Sequence, residues 1–202
     1  MATAIFTARR DPSLSVLILD GAKKLGAKIL VSGGGRCNVT NRAVTADDYW
    51  GGSRNSIRRV LNALPVSETI AFFEQIGAPL VEEPEFGKLF PVANRARAVL
   101  DALLNEAERL GVQIALRQRV AAIEPTQDRF RVKTETAAFE CGHVVLATGG
   151  LSFPKTGSDG AGYGFARAMG HSITPTTPAL VPLILEDAYH EALSGVAHPV
   201  VL

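Results

Sequence analysis

Cysteine is scarce in this sequence of 202 residues, which has two, Cys37 and Cys141. They lie far apart and form no CxxC pair, and the four histidines show no metal-ligand spacing. A disulfide framework needs several cysteine pairs, and a zinc site needs closely spaced ligands. We therefore expect neither disulfides nor a structural metal.

Long apolar runs and an excess of one charge are also absent. No run reaches the roughly 18–20 residues of a membrane helix, and the N-terminus has none of the regions of a signal peptide. The formal net charge of +1 gives no electrostatic reason for a nucleic-acid or anionic-membrane partner. We expect a small-molecule substrate, no nucleic-acid or membrane partner and a cytoplasmic location. The sequence does not specify an oligomeric state.

Two nucleotide-binding motifs are missing as well. The phosphate-binding loop GxxxxGK[ST] does not occur, because the position five residues after Gly33 is Asn38 and no lysine follows it. No complete GxGxxG turn occurs, so the sequence contains no dedicated nicotinamide-binding domain. Glycine itself is plentiful: the sequence has 19, and ten of them gather after apolar runs at 33–35, 149–150 and 157–170. Such glycines mark sharp turns or close approach of backbone to a ligand.

The order of predicted elements is typical of an α/β protein with a parallel sheet and a β-meander. Helices are expected at 2–9, 56–64, 67–76 and 95–110, and a hairpin at 79–90. Strands are expected at 16–20, 112–116, 120–123, 130–134 and 143–147.

Asp20 ends a short apolar strand. In the dinucleotide-binding fold, an acidic residue at the end of the second strand binds a ribose hydroxyl ~20 residues beyond a glycine-rich turn. Counting back places that turn at or before residue 1, and helix 2–9 has no capping residue ahead of it. Taken alone, Asp20 would be explained more simply as a polar residue that caps a strand end or exposes it to water. Together, the two features predict a first strand and glycine turn ahead of Met1.

The segment ILVSGGGRCNVTN, residues 29–41, places three glycines directly before polar side chains. Arg36, Asn38, Thr40 and Asn41 are costly to bury unless they have hydrogen-bonding partners. A tight structural turn would explain the glycines but not these residues. A ligand with many acceptor atoms would partner them.

The wider segment KLGAKILVSGGGRCNVTN, residues 24–41, resembles the signature of the BaiN/RdsA family of NAD(P)/FAD-dependent oxidoreductases, the YhiN-like flavoproteins. Further segments agree in order, so the resemblance covers the whole chain. They are 90–92 (FPV), 147–150 (ATGG), 154–158 (PKTGS), 170–171 (GH) and 178–183 (PALVPL). One departure is DGAGY at 159–163, where the family often has TGDGY; this removes an acid, so position 161 receives no role.

The resemblance implies a Rossmann-like FAD-binding domain of the glutathione-reductase type over residues 1–183. Residues 184–202 would begin an inserted, β-rich substrate domain. It also implies that the chain is a fragment without the first strand, its GxGxxG turn and the C-terminal half. We expect such a fragment to bind FAD weakly or not at all by itself, because the missing turn normally binds the pyrophosphate.

The resemblance implies FAD as cofactor and NAD(P)H as electron donor, and it supplies the cofactor-binding residues. Asp20 would bind the adenosine ribose, and the backbone of Val120 the adenine. The pyrophosphate and flavin would be lined by Ser32, Gly33, Gly34, Gly35, Arg36, Cys37, Asn38, Thr148, Gly149, Gly150 and Gly157. Cys37 has no second cysteine nearby for redox exchange, so we interpret it as a small lining residue.

The implied activity is electron transfer from NAD(P)H through FAD to an organic acceptor, and the family's naming suggests a conjugated carbon–carbon double bond. No proton donor or other catalytic residue can be named. Two alternatives remain: a flavin-binding fragment without turnover, and a flavin oxidase that acts on an amine with dioxygen.

Overall fold

The computed structural model describes residues 1–178. The helices are α1 (Ala2–Arg10), α2 (Ala27–Val31), α3 (Arg54–Ala63), α4 (Val66–Gln75), α5 (Ala96–Arg109) and α6 (Ala161–Ala168). The strands are β1 (Leu17–Asp20), β2 (Thr40–Asn41), β3 (Leu80–Glu83), β4 (Lys88–Pro91), β5 (Gln113–Leu116), β6 (Val120–Pro125), β7 (Phe130–Thr134), β8 (Ala138–Cys141), β9 (Leu151–Phe153) and β10 (Ser158–Asp159). The expected start of a second domain at 184–202, and residues 179–183 before it, lie outside the described residues.

The main core lies between two helices, beside a parallel pair of strands. β1 and β5 run side by side, with Leu17 opposite Gln113 and Asp20 opposite Leu116. Helices α1 and α5 pack together here, because small and apolar residues recur on one side of each. The larger buried side chains of these helices are Ile5, Val99, Leu100 and Leu103, and Ala107 is fully buried among them. The expected α/β class with a parallel sheet is confirmed.

Three antiparallel units complete the described fold. β3 and β4 form the expected hairpin, and β2 adds to the other edge of β4. β6, β7 and β8 form the expected meander. β9 and β10 form a short ribbon just before α6. Most predicted helices and strands are therefore present, with ends displaced by a few residues.

The predicted strand at 143–147 is wrong. Residues 142–149 have no regular secondary structure, and Val145 and Leu146 are 65% and 39% exposed. A strand is stable only when its N–H and C=O groups have ladder partners. Within residues 1–178, no strand pairs with this run, and the partner of β1 is β5 alone. Consequently, Thr148, Gly149 and Gly150 follow an irregular segment instead of ending a strand.

Candidate functional site

Asp20 lies at the carboxyl end of β1, where its side chain closes a turn. Its Oδ1 atom accepts a hydrogen bond of 2.8 Å from the backbone N–H of Ala22. Its carbonyl accepts one of 2.9 Å from the N–H of Gln118, which joins this turn to the segment after β5. Burial lowers the pKa of the Met1 α-amino group, and the negative charge of Asp20 partly opposes that effect. The start of α1 and Asp20 therefore share one edge, and a ribose hydroxyl would share the carboxylate with Ala22.

Val120 is brought to the same edge as Asp20. Gly21 lies against the side chain of Arg119, so that a Cβ at Gly21 would be 3.1 Å from the Arg119 Cδ. Val120 follows as the first residue of β6, opposite Thr134. Asp20 and Val120, the two predicted adenosine-binding residues, therefore both lie at the carboxyl end of the parallel strands β1 and β5. Ligands in parallel α/β sheets bind at this end.

The glycine turn, Ser32–Gly35, directly follows α2. Gly33, Gly34 and Gly35 have φ angles of 55°, 66° and 84°, in the left-handed region that favours glycine. A Cβ at Gly33 would lie 2.6 Å from the backbone nitrogen of Asn38, whereas a Cβ at Gly34 would have no atom within 4 Å. Gly33 thus faces the protein and Gly34 faces open space.

An exposed turn without side chains is a suitable site for the pyrophosphate of FAD. A ligand can approach the backbone at Gly34 and Gly35 closely, because no Cβ intervenes. Asn38, which follows the turn, is also exposed. The residues at this turn therefore fit the expected cofactor.

Arg36 lies beside the glycine turn and has two partners from the hairpin. Its Nη1 atom donates to Oε1 of Glu83 at 3.1 Å. Its Cζ atom lies 3.9 Å from the centroid of the Phe90 ring. The guanidinium is 40% exposed, so it is held in place and still reachable by a ligand.

Cys37 has a different environment from its neighbours in the turn. It is 6% exposed and belongs to the core cluster that contains Ile5 and Phe72. Its backbone N–H donates to the Ser32 carbonyl at 3.0 Å, and its φ angle is 66°. The thiol is thus part of the core beneath the turn. The other cysteine, Cys141, is in β8 of the meander.

Thr148, Gly149 and Gly150 pack closely on the segment that opens α6. A Cβ at Gly149 would lie 2.5 Å from Oγ of Ser158, and one at Gly150 2.8 Å from the Tyr163 hydroxyl. Beside this contact is a cavity of about 320 Å³. It is lined by Leu146, Thr148, Gly149, Gly150, Gly162, Tyr163 and Ala166. Gly149 and Gly150 therefore pack closely against the segment that opens α6, and they also line an open cavity.

Two side-chain contacts join the parts of the site. Lys28 of α2 donates from Nζ to Oγ of Ser152 at 3.0 Å, which connects the helix before the glycine turn to the 148–152 segment. Arg119, beside Val120, forms an ion pair with Asp159. These residues lie far apart in sequence, so no local pattern could have identified the pairs.

Gly157, another predicted lining residue, lies ahead of the last described helix and not within it. It ends a 3₁₀ turn, Pro154–Thr156, with a φ angle of 89°. α6 begins at Ala161, after Gly160 in the left-handed region, because β10 intervenes. A Cβ at Gly157 would meet no atom within 4 Å, so its backbone faces open space.

Residues 1–178 contain neither a metal-binding cluster nor a membrane-spanning helix. That part of the chain brings no three histidine, cysteine, aspartate or glutamate side chains together as a possible metal site. None of its helices combines the length and apolar character needed to cross a membrane.

Comparison with known proteins adds the family. The family model described as the HI0933-like protein Rossmann domain matches residues 1–196. The chain belongs to this family. The match confirms the family resemblance of residues 24–41 and the Rossmann-like fold, and the family binds FAD.

Three relatives have names that describe an activity. The chain is 38% identical over 196 residues to the 3-dehydro-bile acid delta(4,6)-reductase of Clostridium scindens, covering 97% of this chain and 47% of the relative. It is 32% identical over 209 residues to a ribosomal RNA dihydrouridine synthase of Haemophilus influenzae, covering 100% and 52%. The corresponding synthase of Escherichia coli is 34% identical over 190 residues, covering 93% and 47%. The chain spans about half the length of these curated relatives.

Among solved structures, the Diels-Alderase PyrE3 of the pyrroindomycin biosynthetic pathway has a TM-score of 0.38 and 14% identity. The similarity covers 72% of this chain and 30% of that one. A TM-score this low does not place any residue of the site.

Proposed function

We propose that this chain is the FAD-binding part of an oxidoreductase that passes electrons from NAD(P)H to a conjugated carbon–carbon double bond in a small organic acceptor. The observation that carries the proposal is the exposed glycine turn with Arg36 beside it. It presents bare backbone and one positive charge to the same space, as the pyrophosphate of a dinucleotide requires. A cytoplasmic location, where NAD(P)H is available, fits this activity.

The chain's own residues would divide the work of holding the cofactor. The backbone at Gly34 and Gly35 would contact the pyrophosphate, and Arg36 would offset its charge. Asp20 would bind the ribose while it keeps its bond to the Ala22 amide. Val120 would offer its backbone to the adenine. Bound FAD supplies the two-electron redox chemistry, and the protein orients and tunes it.

The cavity beside Thr148, Gly149 and Gly150 would serve the flavin end of the cofactor, together with the backbone at Gly157. Close packing of Gly162 and Tyr163 keeps this segment in place, because a Cβ at Gly162 would lie 2.2 Å from Oγ1 of Thr148. Close packing of this segment suits a flavin site, because such a site must hold the reacting atoms in a precise orientation.

The acceptor class is supported by the relatives' names. A delta(4,6)-reductase acts on carbon–carbon double bonds, and dihydrouridine differs from uridine by two added hydrogens. Both names thus describe adding hydrogen across a double bond. A small-molecule acceptor is favoured over RNA, because the 38% identity to the bile acid reductase exceeds the identities to the two synthases. A uridine in RNA is the second candidate.

Anaerobic spectroscopy of the natural protein tests the proposal. We expect the purified protein to show a flavin spectrum that bleaches with NADH or NADPH. An α,β-unsaturated steroid ketone should then restore the oxidised spectrum, and its saturated analogue is the matched control. Restoration by uridine-containing RNA alone would support the second candidate. Bleaching by an amine and recovery with dioxygen would instead identify an oxidase, and a protein without flavin would contradict the proposal altogether.

A further inference from the structure

The Phe90 ring supports both the glycine turn and Arg36. The ring is 4% exposed, and a Cβ at Gly33 would lie 2.9 Å from its Cε1 atom. The Arg36 guanidinium lies over the same ring at 3.9 Å. The buried Phe90 ring therefore contacts both the glycine turn and the Arg36 guanidinium, and it fixes their relative positions.

Glu83 fixes the direction of the guanidinium on that ring. A guanidinium has five N–H donors in a planar fork, and Glu83 accepts from one nitrogen, Nη1, at 3.1 Å. Both side chains are about one-third to two-fifths exposed. Ion pairs this exposed contribute little to stability, so stability is a weak reason for this arrangement. A stronger reason is that Glu83 holds the other N–H donors of Arg36 at the edge of the glycine turn.

The neighbouring ion pair has a different environment. Glu82, the preceding residue of β3, pairs with Arg42 at 2.8 Å. Successive side chains of a strand point to opposite faces, so Glu82 and Glu83 serve different sides of the hairpin. Arg42 is 56% exposed and has no aromatic ring beneath it among the residues described. This pair therefore offers a matched control for the first.

We propose that Glu83 and Phe90 are positioning residues that hold the Arg36 guanidinium beside the glycine turn, where it binds a negatively charged group of FAD. The inference rests on the proposed function. It also gives a structural reason for the Phe90-Pro91-Val92 motif. The ring is the common platform of the turn and the cation, and a cation over an aromatic face is favourable.

The test measures FAD binding to the apoprotein of the natural protein by flavin fluorescence at low salt. Arg36→Gln should weaken FAD binding about tenfold, which is the effect of losing one charge-assisted hydrogen bond. Glu83→Gln should weaken it several-fold, because the guanidinium loses its anchor. Arg42→Gln and Glu82→Gln should leave FAD affinity unchanged.

A double variant separates positioning from a general structural effect. In the Arg36→Gln background, Glu83→Gln should cause no further loss of FAD affinity, since it acts through Arg36. Arg36→Lys should recover only part of the affinity, because lysine keeps the charge but lacks the planar fork. Phe90→Leu should weaken FAD binding while Phe90→Tyr retains it, and urea unfolding of each apoprotein identifies variants that fail to fold.

Two outcomes overturn the inference while leaving the proposed function intact. One is a wild-type protein that binds FAD and an Arg36→Gln variant that binds it equally well. The other is an additive effect of Glu83→Gln in the Arg36→Gln background. A wild-type protein that binds no FAD would instead contradict the proposed function itself.

Discussion

Glu106 of α5 accepts a hydrogen bond from Nε of Arg9 in α1 at 2.8 Å, across the contact between the two helices. Arg109, one turn later in α5, donates to the same carboxylate at 2.7 Å from Nε. The carboxylate is 7% exposed, so two cations compensate a nearly buried charge. This cluster joins the helices that carry the core beneath the candidate site.

The Glu106 cluster predicts a pH-dependent stability. Hydrogen bonding from Arg109 lowers the pKa of Glu106 from 4.5 to about 2; burial opposes this, and Arg9 adds to it. A lowered folded-state pKa stabilises the protein above pH ~4.5, and the effect is lost as pH falls toward ~2. Glu106→Gln should therefore cost on the order of 2 kcal/mol at pH 7 and progressively less below pH 4. Urea unfolding across this range measures the difference, and exposed Glu108→Gln on the same helix should show none.

Gly33 and Gly34 lie in different environments, so their substitution should have different effects. Gly33→Ala should destabilise the fold, because its Cβ would overlap Asn38 and Phe90. Gly34→Ala should cost only about 1–2 kcal/mol for a left-handed residue, since its Cβ faces open space. Gly34→Val should nevertheless abolish FAD retention, because its side chain would occupy the ligand's approach. Bound flavin and urea unfolding on the same samples distinguish the effects, and a fully loaded Gly34→Val protein would remove the turn from the site.

The buried thiol predicts a structural role for Cys37. Cys37→Ser should lower the free energy of unfolding by about 1–3 kcal/mol, since a hydroxyl replaces a thiol in the core. Flavin reduction by NAD(P)H should be retained, because the other cysteine, Cys141, lies in β8 of the meander. Anaerobic bleaching tests the second point. A folded Cys37→Ser protein that binds FAD and is not reduced would show that the thiol takes part in the chemistry.

The contact between α6 and the 148–150 segment predicts different effects of substitution at Gly162 and Gly164. Gly162→Ala should destabilise the protein by about 1–3 kcal/mol, because its Cβ would overlap Oγ1 of Thr148. Gly164→Ala, in the same helix, should be neutral or stabilising, since its Cβ would meet no atom within 4 Å. Adding Thr148→Ala should recover much of the Gly162→Ala loss, measured by urea unfolding. Equal effects at positions 162 and 164 would contradict this packing.

Local patterns in the sequence were sufficient for most of the fold. The apolar periodicity of α5 and the alternation in the meander are encoded within single segments, so the elements and their order could be predicted. The unusual composition of residues 33–41 also pointed to a special turn and to the family. In each case, the deciding interactions lie between residues close in sequence.

The sequence by itself determined the family, the α/β class and the position of the glycine turn, because all three depend on residues near one another in the chain. Only the tertiary structure decided that residues 143–147 form no strand, since strand formation depends on a distant ladder partner. It also decided that Cys37 belongs to the core and that Arg36 lies between Glu83 and Phe90. Those contacts join segments about 50 residues apart, and no local pattern specifies them.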